Sequence, residues 1–573
     1  MRVDCARRGW LAALQRRKKT PIVRVGRLSA GELCGVPACR FPQLERIRFV
    51  PAPAKHPRRH SGSPRVGAVR LFSAIVGIAA VLGVAACAVG PDYTAPEPPL
   101  PPSFTADRAG GHEQHADRVA ATTKWWRTLH DRELDSLIDR AIAGSPSLEI
   151  ALQRLQQARA QEAVIVGAAL PIAEGTEGGG IGTGSDLGRS RAAQSLVSAE
   201  TGTGVSQVTN LAGFDAAWEI DVFGKFRRAI EAAQYDVEAA AAARNAVLIS
   251  LVADVTRAYL DLRALQMQLA VLRKGIEVAK KYLDFVQERF NRGITNELDV
   301  TLAQRQLAQL QSQIAPLGAQ INAARYVIAV LLGEFPENLG SELTRPGMLP
   351  ALPGRIRSGL PIELLRRRPD IAEAERQLAS ATAAIGVATA DLFPRVALVA
   401  SAGNQTALGG VPINPIWSLG PGVLAPILDF GRLDAAVEKA DYRAREFLFT
   451  YKQTVLKAVG EVDTAVDAYA AQQNSLRHLS DALAAARKAV DLANERFDRG
   501  LIDSLNVIDA QRQEYEIEQQ YVAAQAAAAE QLVALYKSLG GGWEDYQIFP
   551  PIRPPLPAIA AAFRSLLAPT ARP

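Results

Sequence analysis

Glu288-Arg-Phe-Asn-Arg-Gly293-Ile-Thr-Asn-Glu-Leu298-Asp-Val300 returns 207 residues later as Glu495-Arg-Phe-Asp-Arg-Gly500-Leu-Ile-Asp-Ser-Leu505-Asn-Val507. The same offset carries Ala303-Gln-Arg-Gln306 onto Ala510-Gln-Arg-Gln513, Phe223-Gly224 onto Phe430-Gly431 and Leu332-Gly333 onto Leu539-Gly540, with no insertion. Upstream the offset becomes 223, placing Pro146 on Pro369, Ala158 on Ala381 and Pro171 on Pro394, so the first copy holds 16 extra residues between Pro171 and Phe223. Self-similarity at a fixed offset marks a chain of like structural units. Here there are two.

Around the quoted stretch each copy is free of helix breakers. No proline falls between Phe223 and Pro316, and none between Pro426 and Pro550, so both copies permit very long helices. Apolar residues step by three and four through Leu251, Val255, Tyr259, Leu262, Leu265, Leu269, Leu272, Ile276, Ala279, Leu283, Val286 and Phe290. The second copy repeats the period from Val455 to Phe497. Sustained this far, the pattern is a coiled-coil seam rather than the face of one globular helix. From Gly224 to Asn291 the chain has 68 residues, a helix roughly 100 Å long at about 1.5 Å per residue. Arg292-Gly293 and Arg499-Gly500 interrupt the seam, and Thr295, Asn296, Asp503 and Ser504 follow. A glycine that can leave the helix, then a capping residue that starts another, defines a reversal. Each unit is therefore expected to be a long helical hairpin with its tip at that glycine.

Two stretches lack a helical period: about 171–221, glycine- and threonine-rich, and about 394–429, beginning Arg395-Val-Ala-Leu-Val-Ala-Ser401. Each reads as a β-hairpin, with Trp218 and Trp417 suited to a membrane interface. Four strands cannot close a barrel, and strands in a bilayer cannot leave an edge open. Closure then needs several copies of the chain, and the apolar helical stripe needs them too. The expected class is mainly α with a membrane β part: two tandem repeats, 124–345 and 346–548, assembled into a tunnel.

Charge separates the N-terminus from this body. The chain of 573 residues carries 65 Lys+Arg and 59 Asp+Glu, yet residues 1–86 hold 17 of the basic groups and three of the acids, leaving 48 basic and 56 acidic groups downstream. The net +6 thus belongs to the leader, which argues against a nucleic-acid partner for the body. Residues 65–86 combine Arg65 and Arg70 with an apolar run from Leu71 to Ala86, an export signal too short to span about 30 Å of hydrocarbon comfortably. Val84-Ala-Ala-Cys87 resembles a lipobox, making Cys87 the expected lipid-attachment site, with 87–123 an extended tether leading away from the membrane. Residues 1–64 read as a basic leader, either ahead of the true start or a disordered basic arm, and 549–573 as a proline-rich tail.

Lys124-Trp-Trp-Arg-Thr-Leu-His130, Gly359-Leu-Pro-Ile-Glu-Leu-Leu-Arg-Arg-Arg-Pro-Asp370-Ile, the Arg-Gly tips and Val89-Gly-Pro-Asp-Tyr93 together resemble the lipoprotein branch of the TolC-like outer-membrane efflux factors. The resemblance implies a homotrimer with a 12-stranded outer-membrane barrel and a periplasmic helical barrel. It implies a periplasmic adaptor docking at Arg292, Gly293, Arg499 and Gly500, and an inner-membrane pump of the resistance-nodulation-division type. It places a channel gate at Asp299 and Asp509, with Asn506 standing where a third acid sits in the family. Such a ring would repel anions and attract cations; the local alternative is that Asp299 only favours the positive end of its helix.

No catalytic arrangement is present. His112-Glu-Gln-His115 has one residue too few for a zinc-protease helix, the glycines near Gly180 adjoin no Gly-Lys-Ser/Thr, and the cysteines all lie at or before Cys87. No enzyme activity, metal or cofactor is expected. The leading reading is a passive exit duct for small molecules. A duct for protein or peptide secretion with an ATP-driven exporter is the alternative, and a pore-less trimeric coiled-coil lipoprotein a third.

Overall fold

A computed structural model describes residues 88–101, 104, 123–183, 206–340, 342–353, 361–407 and 412–546. The leader, the signal segment, Cys87, His112, His115 and the tail from Pro550 lie outside the described residues.

The first unit runs α1 (Arg132–Gly144), α2 (Pro146–Ala168), β1 (Ile172–Thr183), β2 (Ser206–Ile220), α3 (Lys225–Asn291), α4 (Glu297–Gln311) and α5 (Ile314–Leu332). The second runs α6 (Pro361–Arg367), α7 (Pro369–Ala390), β3 (Arg395–Ala407), β4 (Pro412–Leu424), α8 (Arg432–Asp498) and α9 (Ser504–Ser538). Both long helices, α3 and α8, contain 67 residues, as the unbroken seam requires. The second unit's returning limb α9 is one helix, whereas the first breaks at Ser312-Gln313 between α4 and α5. The cause is Pro316, whose ring would meet the carbonyl of Ser312 in a continued helix. It therefore sits in the first turn of α5 instead. Ala523 occupies the matching position of α9 and imposes no break.

The four strands form one antiparallel sheet in the order β1-β2-β3-β4, so β1 and β4 are its edges. Each has 12 to 15 residues, more than the ~9–11 that a tilted bilayer strand needs. β1 ends at Thr183 and β2 begins at Ser206, whereas β3 and β4 are separated only by residues 408–411. The extra residues of the first copy therefore fall in its hairpin connection. Across the sheet Trp218 stands opposite Leu398, and Trp417 opposite Ala402. The two tryptophans thus lie at different heights on the sheet.

Helices pack in the lateral order α2, α3, α7, α8, with α3 meeting α7 where the two units join. The core lies where α1, α3, α5, α8 and α9 converge: Trp125 and Trp126 are 1% exposed, and Trp125 stacks on Tyr536 with ring centroids 4.8 Å apart. Arg368 of the Arg-Arg-Pro-Asp-Ile segment is a joint in this region. It forks onto Asp370 at 3.0 and 2.7 Å, donates to the Ser538 carbonyl at 3.1 Å and pairs with Glu461 at 2.8 Å, tying the start of α7 to α8 and the end of α9.

Candidate functional site at the helical tips

Both tips close with the same backbone geometry. Gly293 N–H donates to the Phe290 carbonyl at 2.8 Å and Ile294 N–H to Arg289 at 2.9 Å; Gly500 donates to Phe497 at 2.8 Å and Leu501 to Arg496 at 2.9 Å. These are Schellman motifs, which need a left-handed residue after the helix. Gly293 has φ +73° and Gly500 φ +71°. The expected tips thus sit at the glycines the repeat singled out.

Arg292 pairs with Glu288 and Arg499 with Glu495, each four residues back on its own helix and largely exposed. A third pair joins the hairpins: Arg289 Nη1 lies 3.0 Å from Asp503. Around these charges Ile294 and Leu298, and at the matching positions Leu501 and Leu505, stand 58 to 64% exposed. The periodicity did not flag these four side chains, because at a tip an apolar residue at helical spacing reads as seam.

The two candidate gate aspartates differ. Asp299 is half-buried in the first turn of α4. Its backbone N–H is capped by Asn296 Oδ1 at 3.1 Å and its carboxylate accepts from the Thr295 hydroxyl. Asp509 is exposed one turn inside α9, 2.9 Å from Arg512 Nη2 and accepting from Gln513 Nε2 at 2.9 Å. Beside Asp299 the Tyr282 hydroxyl is pushed up, first by burial and then by the carboxylates of Asp299 and Asp503. About 20 residues above the tips, Glu518 of α9 receives Lys274 of α3 at 3.3 Å and Arg487 of α8 at 3.1 Å, beside a cavity of about 350 Å³. No cluster of three metal-ligating side chains occurs among the described residues.

At the other end of the long helices, where strands become helices, the residues after Cys87 do not lead away. Val89 N–H donates to the Phe223 carbonyl at 3.1 Å, and Tyr93 Oη lies 3.2 Å from Glu375 Oε1. The expected tether begins as a docked segment.

A membrane-length sheet continuous with two hairpins about 100 Å long is the architecture of an outer-membrane channel protein that reaches into the periplasm. The chain belongs to the outer membrane efflux protein family, whose pattern covers residues 137–334 and 360–541. Nodulation protein T of Rhizobium leguminosarum is 31% identical over 467 residues, 80% of this chain and 92% of that protein. The pyoverdine export outer membrane protein OpmQ of Pseudomonas aeruginosa is 33% identical over 428 residues, 74% of this chain and 88% of that one. The solved outer-membrane channel OprN superposes with a TM-score of 0.70 at 33% identity, covering 80% of this chain and 100% of that one. The protein is accordingly an efflux channel of the Gram-negative outer membrane.

Proposed function

We propose that three copies of the chain close into a passive duct that carries small molecules from an inner-membrane pump to the exterior. One observation carries this: the seam joining the two units inside the chain has an unpaired counterpart on the chain's outer flanks. Within the chain Phe223 stacks on Phe393 at 4.7 Å. Applying the two repeat offsets turns this pair into Phe430 and Leu170, and Phe430 is 91% exposed. Gly213 lies opposite Gly403, where a Cβ on Gly213 would meet the Ala402 carbonyl at 2.6 Å. The same operation gives Gly420 and Gly180, glycines again. Strand β4 of one copy would therefore pair with β1 of the next in the β2–β3 register, and α8 would pack on the next α2. Tyr442, Phe449 and Leu456 stand exposed on α8 at heptad spacing, an apolar stripe that this contact would cover. Repeated around a threefold axis the rule yields 12 strands and no open edge.

In this assembly the tips are the adaptor-docking ends, with Arg292, Gly293, Arg499 and Gly500 among four exposed apolar side chains. Asp299 and Asp509 guard the entrance. The acylated Cys87 anchors each copy, and the pump is of the resistance-nodulation-division type. Relatives named for pyoverdine export, toluene efflux and cation efflux support small solutes as the cargo. The register supplies the test. Ala217 opposite Val399 maps onto Leu424 and Thr176, so a chain carrying Leu424→Cys and Thr176→Cys is expected to oxidise into covalent trimers and no larger species. Either single variant should stay uncoupled. Purified trimer should also conduct in liposomes; a ladder beyond three, or an electrically silent trimer, overturns the duct.

A further inference from the structure

Val89-Gly-Pro-Asp-Tyr93 is assigned no role by channel function, yet its contacts are among the most specific in the molecule. Arg228, in the first turn of α3, is only 5% exposed. Its Nε donates to the Val89 carbonyl at 3.2 Å, and Nη2 reaches the Gly90 carbonyl at 3.3 Å and Asp92 Oδ1 at 2.5 Å. Nη1 is held by Glu231 at 2.8 Å. The guanidinium fork is thus spent on three successive features of one short segment, a use that a lysine could not reproduce. Two glycines let the backbones cross. Gly90 has φ +96°, and a Cβ there would lie 2.4 Å from Gly386 Cα; a Cβ on Gly386 would lie 2.8 Å from the Val89 carbonyl oxygen. Tyr93 then packs edge-on against Tyr235 of α3, centroids 5.9 Å apart, while its hydroxyl meets Glu375 of α7.

We propose that residues 88–93 are a strap, locked by Arg228, that staples α3 of the first unit to α7 of the second and fixes the lipid-bearing end of the chain at the foot of the sheet. The location follows from covalent geometry. A Cβ on Gly224 would touch Ala88 Cα at 2.7 Å, Gly224 follows the end of β2 by four residues, and Cys87 is one Cα step of about 3.8 Å from Ala88. Acyl chains carried by Cys87 would therefore enter the bilayer against the rim of the proposed barrel, a placement that rests on the trimeric duct proposed above. The strap is a positioning device, and Arg228 is its positioning residue.

Lipid placement rests on the acylation of Cys87; the strap does not, and the experiment separates them. Hydrogen–deuterium exchange is measured on the full chain in lipid nanodiscs. The peptide covering 88–93 is expected to be protected in the native protein and equally in Cys87→Ser. In Arg228→Ala it should exchange at least tenfold faster while peptides of α3 and α7 keep their rates, and Arg228→Lys should restore only part of the protection. If Arg228→Ala does not fold, Asp92→Ala and Tyr93→Phe give the same readout from the strap side. Native-like protection in these variants, or a native peptide that exchanges like an unstructured chain, overturns the strap. Labelled palmitate fed to cells tests the anchor alone: equal labelling of native protein and Cys87→Ser refutes acylation and leaves the strap standing.

Discussion

Two kinds of glycine do opposite work in this chain. At Gly293 and Gly500 nothing lies within 4 Å of a Cβ, and the only demand is the left-handed backbone. Alanine at either should cost about 1–2 kcal/mol from that conformation alone. At Gly386 the conformation is helical, where alanine is favoured by about 1 kcal/mol, but the new methyl would press on Val89 and Arg228. Contact should win, so Gly386→Ala is expected to lower thermal stability despite its better propensity. Apparent melting temperatures at one fixed scan rate decide it, a fixed rate being needed because such proteins unfold irreversibly. A rise for Gly386→Ala would mean the strap yields. The tip glycines were legible because the repeat displays them twice. Gly386 and Arg228 were not, since Arg228 and Val89 are 139 residues apart in the chain and no periodicity connects them.

At the scale of elements, spacing by three and four placed the long helix between Gly224 and Asn291, and α3 spans Lys225–Asn291. The absence of proline permits a long helix but does not locate the break after Gln311, because Pro316 acts four residues upstream of itself, from within the first turn of α5. Side-chain partners between helices escaped the spacing too. Asp261 of α3 faces Glu530 of α9, and burial first, then that neighbouring carboxyl, pushes Asp261 up to about 6 against the pull of Arg257. A raised carboxyl holds its proton in the folded state over a pH range where the unfolded chain has lost it. Stability conferred by that proton is therefore present at low pH and lost as pH rises from about 4 through 6. The α3–α9 contact should consequently be firmer at pH 5 than at pH 7.5. The native protein is expected to melt at higher temperature at pH 5, and Asp261→Asn, which cannot ionise, should flatten that difference by stabilising the pH 7.5 form. A variant with the native slope would place the titration elsewhere.

For the whole molecule the question is what charge the proposed trimeric ring would present to a passing ion. Downstream of residue 86 acids outnumber bases, 56 to 48, but ion pairing decides how much of that excess acts at the entrance. Arg292, Arg499 and Arg289 are matched by Glu288, Glu495 and Asp503, and Asp509 stands with Arg512. The Asp299 carboxylate accepts from the Thr295 hydroxyl and, among the described residues, stands in no ion pair. Three Asp299 carboxylates should therefore set the ionic preference of the trimer, with the Asp509 ring contributing in full only when Arg512 is removed. Reversal potentials across a salt gradient test this in planar bilayers. Native channels should prefer cations, Asp299→Asn should lose most of that preference, Asp509→Asn should lose less, and Arg512→Ala should strengthen it. Because screening shortens from about 10 Å at 0.1 M salt to about 3 Å at 1 M, every difference should shrink as the mean salt concentration is raised. Equal reversal potentials for all four proteins at low salt would mean that Asp299 serves only the first turn of α4, and that the entrance is selected by width rather than by charge.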